Sequence, residues 1–138
     1  MTIILRPDQQ DLKNAIYSDW NNGVPNVMGV LSTGGGKSVI VSDIVLDGAR
    51  LNMQQAVIAH RNELVAQMSI HVANRGIPHR IIGNTKTVAQ IQRQHRKLYG
   101  RSFVNPSAPT AVIGVDTLIS RHDSLINWAK QTDRWVID

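Results

Sequence analysis

The sequence predicts an α/β fold with a mainly parallel sheet. Short apolar runs that suit buried strands alternate with segments whose apolar residues recur at helical spacing, a pattern typical of repeated strand–helix–strand units. The 138 residues, 42% of them hydrophobic, suffice for one domain with its own core but not for two of ordinary size. A glycine-rich turn, Gly-Gly-Gly-Lys-Ser, follows one predicted strand and leads into a helix.

This turn is the most informative stretch of the chain. It lies between an apolar strand predicted over residues 27–31 and a helix predicted from Val39 onward. Three consecutive glycines let successive N–H groups point into one concavity beside the positive end of a helix, where a phosphate is held. Lys37 would contact the β- and γ-phosphates, and Ser38 would ligate Mg²⁺. A merely flexible turn would explain the glycines but not the Lys-Ser pair that follows them.

The turn departs from the general phosphate-loop pattern, because Leu31 stands where that pattern has glycine. The form Ser-Thr-Gly-Gly-Gly-Lys-Ser resembles the Thr-Gly-x-Gly-Lys-Thr/Ser variant of superfamily 2 helicases and translocases. The resemblance implies a three-layer RecA-like P-loop NTPase fold, with ATP and Mg²⁺ as cofactors. It assigns nucleotide binding to the residues of the turn: Thr33, Gly34, Gly35, Gly36, Lys37 and Ser38.

A helix is predicted near the N-terminus, with Pro7 in its first turn and residues 21–23, Asn-Asn-Gly, at its end. The preceding Leu-Arg-Pro-Asp-Gln resembles the Leu-Arg-Pro-Tyr-Gln element that lies against the adenine in many superfamily 2 proteins. On that resemblance Gln9 would hydrogen-bond the base edge, with Arg6 close by. Asp8 replaces the usual tyrosine.

Composition excludes several classes of function. The chain has no cysteine, so disulfides and thiolate metal sites are absent, and its five histidines show no metal-ligand spacing. The apolar run at residues 3–5 is far shorter than that of a signal peptide, and no stretch approaches the length of a membrane span. We therefore expect a cytoplasmic protein with no membrane partner.

The positive charge is concentrated in one segment. Residues 64–115 contain no acidic residue, whereas the 8 basic residues elsewhere in the chain are outnumbered by 10 acidic ones. Such a concentrated field favours a polyanionic partner and predicts salt-dependent binding, although a solvated basic face is the alternative. The basic residues of this segment are Arg75, Arg80, Lys86, Arg93, Arg96, Lys97 and Arg101.

A second strand–helix pair follows the glycine-rich turn. Asp47 and Gly48 are expected to end or loosen the preceding helix, residues 55–60 form a buried strand, and a helix then runs to Gly76. The sequence from His60 to Gln67 resembles helicase motif Ia, whose strand-to-helix turn approaches a nucleic-acid backbone. This assigns His60 and Arg61 to nucleic-acid binding, a capping or surface role being the alternative.

A third strand is expected over residues 79–83, followed by a helix that Thr87 would cap and that would extend to about Tyr99. Its apolar side would consist of Val88, Ile91, Leu98 and Tyr99. The opposite side carries Arg93, Arg96, Lys97 and Arg101, which either contact nucleic acid or form the polar side of a surface helix.

A strand over residues 110–115 precedes a segment similar to motif Ib of the same superfamily. There, a small residue and a hydroxyl group lie near the nucleic-acid backbone, which assigns Gly114, Thr117 and Arg121 to nucleic-acid binding. A short helix near residues 125–129 and an apolar strand over residues 134–138 complete the predicted elements.

Asp138 resembles the first Asp of the Asp-Glu-x-His box, which holds Mg²⁺ through water, so the resemblance makes Lys37 and Asp138 the catalytic residues. Residues 1–138 would then be a truncated N-terminal RecA-like domain, incomplete at its C-terminus and lacking the second RecA-like domain. In such sheets a later strand inserts between the phosphate-loop strand and the strand that carries this Asp. Without it, we expect a fragment that is marginally stable, oligomeric by edge pairing, or ordered only when the remaining chain or a partner fills the gap.

The order of motifs makes the chain similar to superfamily 2 DEAD/DEAH-box helicases, closest to bacterial and phage RadD-like ones. The resemblance implies that the complete protein couples ATP hydrolysis to unwinding of, or movement along, a nucleic acid, DNA in preference to RNA. The fragment alone is expected to be inactive. The alternatives are a non-enzymatic nucleic-acid-binding fragment with a vestigial phosphate loop, and another P-loop enzyme such as a nucleotide kinase.

Overall fold

The structure, a computed structural model, describes residues 3–31 and 36–137, apart from the side chain of Asn62. Within these residues there are six helices and four strands, in the order α1-α2-β1-α3-β2-α4-β3-α5-α6-β4. The helices are α1 Pro7–Asn21, α2 Lys37–Arg50, α3 Asn62–Asn74, α4 Thr85–Tyr99, α5 Val115–Ser120 and α6 His122–Gln131. The strands are β1 Gln55–Ala59, β2 Arg80–Ile82, β3 Thr110–Gly114 and β4 Arg134–Ile137.

The four strands form one all-parallel sheet in the order β2-β3-β1-β4. In β1, Ala59 lies opposite Gly114 of β3, and Gln55 lies opposite Arg134 of β4. Because all strands run the same way, their carboxyl ends meet at one edge of the sheet. This edge collects the segments that follow β1, β2 and β3.

Alternating strand residues fill two hydrophobic cores, one on each face of the sheet. Val57 and Val112 point to the face covered by α2, α3 and α4, and Ile58 and Ile113 point to the face covered by α5 and α6. Both faces are buried, which explains why β1 and β3 are continuous apolar runs. The predicted three-layer α/β architecture with a parallel sheet is confirmed.

The strand predicted over residues 27–31 is wrong, because this segment is irregular and pairs with no described strand. A cavity of about 140 Å³ is lined by Val27 and Gly29 of this segment and by Val136 and Ile137 of β4. A strand needs a hydrogen-bonding neighbour, and none of the described segments fills this space. Met28 and Val30 are consequently 88% and 77% exposed.

Helix α1 begins at Pro7 and ends at Asn21, as predicted. Helix α2 was expected to end or loosen at Asp47 and Gly48, but it continues through them to Arg50. A Cβ atom at Gly48 would lie 2.1 Å from Oε1 of Gln55, so this glycine permits close packing of α2 on β1. Gly48 therefore allows close packing against Gln55 and does not end the helix.

Two expectations for α4 are also wrong. The helix begins at Thr85 and is capped by Asn84, whose Oδ1 accepts a hydrogen bond from the backbone N–H of Thr87 at 2.7 Å. Leu98, expected on the apolar side, is 56% exposed, whereas His95 is fully buried there. The side of α4 that faces the protein therefore includes a polar residue.

Candidate nucleotide site and nucleic-acid interface

The described part of the glycine-rich turn lies at the start of α2. Gly36 has φ +77° and ψ 42°, a left-handed conformation that favours glycine, and Lys37 is the first residue of the helix. The side chain of Lys37 lines the cavity beside Ile137 of β4. Ser38 follows in the first turn of α2 and is half-buried. Thr33, Gly34, Gly35 and Asp138 lie outside the described residues.

Gln9 brings α1 to the glycine-rich turn. Its side chain is 4% exposed, Oε1 accepts a hydrogen bond from the backbone N–H of Arg6 at 2.9 Å, and Nε2 donates to the carbonyl of Gly36 at 3.3 Å. A Cβ atom at Gly36 would lie 2.4 Å from this Nε2. Gly36 is therefore required both by its backbone conformation and by the close approach of Gln9. The Arg6 guanidinium lies on the surface, 3.3 Å from the Asp8 carboxylate.

The predicted motif Ia and Ib residues lie along the carboxyl edge of the sheet. His60 and Arg61 follow β1 and are exposed, and Gly114 ends the neighbouring strand β3. Gly114 and Thr117 line a polar cavity of about 210 Å³, together with residues of the β2–α4 turn. Arg121, at the end of α5, is exposed. The structure thus brings the two motif regions to adjacent strand ends, where ligands bind in open parallel sheets.

Comparison with known proteins identifies the family. A family model described as type III restriction enzyme, res subunit, matches residues 2–127. The chain belongs to this family. No curated protein and no solved structure matches it. Membership makes the chain a superfamily 2 helicase-type domain, a class of ATP-dependent proteins that act on nucleic acid, and its α/β sheet agrees with the RecA-like fold of that class.

The basic face of α4 in this res-subunit domain lies apart from the motif regions. Arg93, Arg96 and Lys97 are exposed, as predicted for a polar face. Thr87, near the start of α4, borders the same cavity as Gly114, but at 1.5 Å per residue the three basic residues lie about 9 to 15 Å further along the helix axis. The structure therefore separates the candidate nucleic-acid residues into two groups.

Arg75 does not contribute to the basic surface of the acid-free segment. Its side chain is 4% exposed and donates a hydrogen bond to Oδ1 of Asp43 at 2.8 Å, with a second to the carbonyl of Val39 at 3.3 Å. This buried guanidinium joins the end of α3 to α2. Its charge is balanced by a partner on another helix, which the local sequence did not reveal.

An ion-pair network between α1 and α2 was also missed by sequence reasoning. Lys13 of α1 pairs with Asp43 and Asp47 of α2, at 2.7 Å for Asp47, and the hydroxyl of Tyr17 donates to Asp47 at 2.7 Å. Burial opposes the charge on Lys13, but its hydrogen bonds to the two carboxylates outweigh this and raise its pKa. Burial likewise opposes ionisation of Asp47, yet the hydrogen bonds from Lys13 and Tyr17 lower its pKa. The four-residue spacings of these side chains in the sequence were the available signal.

A buried cluster of Ser69, His79 and His95 lies between α3, α4 and the start of β2. Ser69 Oγ is 2.6 Å from Nε2 of His79 and 2.9 Å from Nε2 of His95, and all three side chains are fully buried. Nδ1 of His79 lies 2.8 Å from the carbonyl of Ile77, and Nδ1 of His95 accepts from the backbone N–H of Phe103 at 3.1 Å. One proton arrangement satisfies every contact: His95 donates to Ser69, Ser69 donates to His79, and both imidazoles are neutral. The cluster is closed to solvent and stabilises the fold.

Two features are absent from the described residues, a metal-binding cluster and a membrane-spanning helix. Among them, no group of three or more His, Asp or Glu side chains is arranged to hold a metal ion. Within the same residues, no helix has the length and apolar character needed to cross a membrane.

Proposed function

We propose that this chain is the ATP-binding N-terminal RecA-like domain of a RadD-like superfamily 2 helicase or translocase, which couples ATP hydrolysis to unwinding of, or movement along, DNA. The observation that carries the proposal is the contact of Gln9 with Gly36, directly before Lys37 and Ser38. It joins the candidate adenine-reading residue to the candidate phosphate loop.

The residues of this site fit a nucleotide with a bound Mg²⁺. Backbone N–H groups of residues 33–36 would cradle the phosphates, the ammonium of Lys37 would neutralise charge on the β- and γ-phosphates, and Gln9 would read the base, with Arg6 beside it. Mg²⁺ prefers oxygen ligands and keeps several waters, so the hydroxyl of Ser38 and the carboxylate of Asp138 would hold it. When bound, Mg²⁺ supplies charge stabilisation at the transferred phosphoryl group.

The second part of the proposal concerns nucleic acid and the rest of the sheet. His60, Arg61, Gly114, Thr117 and Arg121 would contact the backbone of a DNA strand at the carboxyl edge, and the basic face of α4 would extend this contact. Residues 27–31 pair with no described strand and β4 is an edge of the described sheet, and we propose that one further strand, from a continuation of this domain, pairs with both. A second RecA-like domain would complete the ATPase, and the absence of cysteine fits a cytoplasmic protein.

The test is a titration of wild type and Lys37→Ala with a fluorescent ATP analogue, with and without Mg²⁺. Loss of the charge-assisted contact, worth about 1.5 to 3 kcal/mol, should weaken binding roughly ten- to a hundredfold. Lys130→Ala, which removes an exposed lysine from α6, is the matched control and should bind as wild type does. Equal binding by wild type and Lys37→Ala would refute the assignment.

A further inference from the structure

Helix α1 packs on α2 through a row of polar contacts, which we name the polar seam. On α1 the seam consists of Gln9, Lys13 and Tyr17, which share one helix face because they recur every four residues. On the other side it consists of Gly36, Asp43 and Asp47. Of the described residues in α1, the two that are buried are Gln9 and Lys13, and both are polar.

The three levels of the seam differ in strength. At the first level, Nε2 of Gln9 donates to the carbonyl of Gly36 at 3.3 Å. At the second level, the ammonium of Lys13 lies between the carboxylates of Asp43 and Asp47, with a side chain that is 11% exposed. At the third level, the hydroxyl of Tyr17 donates to Asp47 at 2.7 Å. The central level contains the only ion pairs among these described contacts.

Apolar contacts do not fix α1 in the same way. Leu12, Ile16 and Trp20 form its apolar stripe, but they are only half-buried and line the cavity beside β4. Burial of apolar surface is non-directional and tolerates a small shift along the helix axis. A directional ion pair within hydrogen-bond distance does not tolerate such a shift. Burial strengthens the pair and raises the cost of losing it.

Lys13 is therefore the residue that sets the position of α1 along α2. Its ammonium bridges two carboxylates that lie one turn apart, and no shift of α1 by a turn retains both contacts. The Asp43 carboxylate is fixed in turn by Arg75 from α3. Because Gln9 lies one turn before Lys13 on the same face, the position of Lys13 also sets the position of the Gln9 amide relative to Gly36.

We infer that Lys13 is a positioning residue for nucleobase selection: it holds Gln9 at the glycine-rich turn without touching the nucleotide. The inference rests on the proposed function, in which Gln9 reads adenine. Oε1 and Nε2 of Gln9 each make a hydrogen bond within the protein, to Arg6 and Gly36, and a glutamine amide has two acceptor positions on its oxygen and two N–H groups on its nitrogen. Pairing with adenine would use one more of each, toward the N6 amino group and the N7, whereas guanine presents an acceptor in place of the amino group. A displaced Gln9 loses this discrimination even if the phosphate loop still binds the phosphates.

The experiment compares the affinities of Mg²⁺-ATP and Mg²⁺-GTP for wild type and Lys13→Met, which keeps a long side chain but removes the charge. Wild type should prefer ATP. In Lys13→Met the ratio of ATP affinity to GTP affinity should fall by at least about fivefold, which is the lower end of the effect of one bidentate base contact. Lys13→Arg, which can still bridge two carboxylates, should restore the preference to within about twofold. Affinity for inorganic triphosphate, a probe without a base, should change little.

Val72→Ala is the control for a general loss of stability. Val72 is fully buried in the core on α3, away from the seam, so this variant should unfold more easily but keep the wild-type ratio of ATP to GTP affinity. A similar loss of preference in Val72→Ala and Lys13→Met would overturn the inference. If Lys13→Met does not fold, Tyr17→Phe removes one hydrogen bond of the seam and should lower the preference to a smaller extent.

The outcomes separate the inference from the proposed function. Wild type that prefers ATP, with an unchanged preference in Lys13→Met or in its substitute Tyr17→Phe, would overturn the inference and leave the proposed function intact. Wild type that binds no nucleotide would overturn both. Wild type that binds ATP and GTP equally would overturn the assignment of Gln9 to the base, and the role of Lys13 with it.

Discussion

Acidification should unfold this protein through the cluster of Ser69, His79 and His95 before it affects the ion pairs of α1. Burial lowers the pKa of His79 from its ordinary value of 6.5 to about 4, and the nearby His95 contributes in the same direction. Burial also lowers the pKa of His95. Below pH 6.5 the unfolded chain therefore takes up protons that the folded chain does not, so stability falls as the pH decreases.

The magnitude follows from the shift of His79. One pKa unit corresponds to 1.36 kcal/mol, and pH 5 lies about 1.5 units below the ordinary histidine value, so His79 alone should remove about 2 kcal/mol between pH 7.5 and pH 5. His95 adds to this loss. Asp47, whose pKa is lowered, loses its contribution only at lower pH, as the pH falls below the ordinary value of 3.8. The two effects are thus separated by pH.

The assay is urea unfolding of wild type, His79→Asn and His122→Asn at pH 7.5 and pH 5. The asparagine amide at position 79 can still donate to the carbonyl of Ile77, but it takes up no proton, so most of the 2 kcal/mol pH difference should disappear. His122 is 67% exposed and far from the cluster in sequence, and its variant should behave as wild type does. The quantity compared is the change in the free energy of unfolding between pH 7.5 and pH 5. A change below about 0.5 kcal/mol in wild type, or an undiminished change in His79→Asn, would refute this role of His79.

Three further predictions concern the turn, the basic face and the open side of the sheet. Gly36→Ala and Gly100→Ala both place alanine at positive φ, at a cost of about 1 to 2 kcal/mol, but only Gly36→Ala should also weaken ATP binding, because only there does the new Cβ meet Gln9. Equal ATP affinity in the two variants would contradict this. Neutralising Arg93, Arg96 and Lys97 together should reduce the slope of log affinity for DNA against log salt by up to about three units, and an unchanged slope would exclude this face. Amides of residues 27–31 should exchange rapidly, and light scattering should reveal self-association that Ile137→Lys reduces; a monomer with fully protected amides there would contradict the open edge.

The sheet was predictable wherever an apolar run is buried on both faces. Residues 55–59 and 110–114 are such runs, and both form central strands. Residues 27–31 have the same composition but no strand, because pairing depends on a neighbour that local sequence does not specify. Helix α2 passes through Gly48 for a related reason, since only the packing against Gln55 explains that glycine.

The parts of the candidate site that consist of contiguous sequence motifs were predictable. The parts that depend on contacts between residues distant in the sequence were not. The Gly-Lys-Ser turn and Gln9 were recognised from local pattern. Lys13 lies on α1, Asp43 on α2 and Arg75 directly after α3, and beyond the four-residue spacings within α1 and α2 nothing in their local sequence indicates that their charges meet. His95 was missed because a histidine on an apolar helix side has no distinctive spacing, and its partners Ser69 and His79 come from other segments.

The most direct test of the proposed function is an NMR titration of the ¹⁵N-labelled protein with a non-hydrolysable ATP analogue and Mg²⁺. The account predicts that the backbone amides of Gly36, Lys37 and Ser38 and the side-chain amide of Gln9 shift together, with one dissociation constant, because one ligand contacts the turn and the seam. Shifts confined to the basic face of α4, or none at saturating nucleotide, would contradict it.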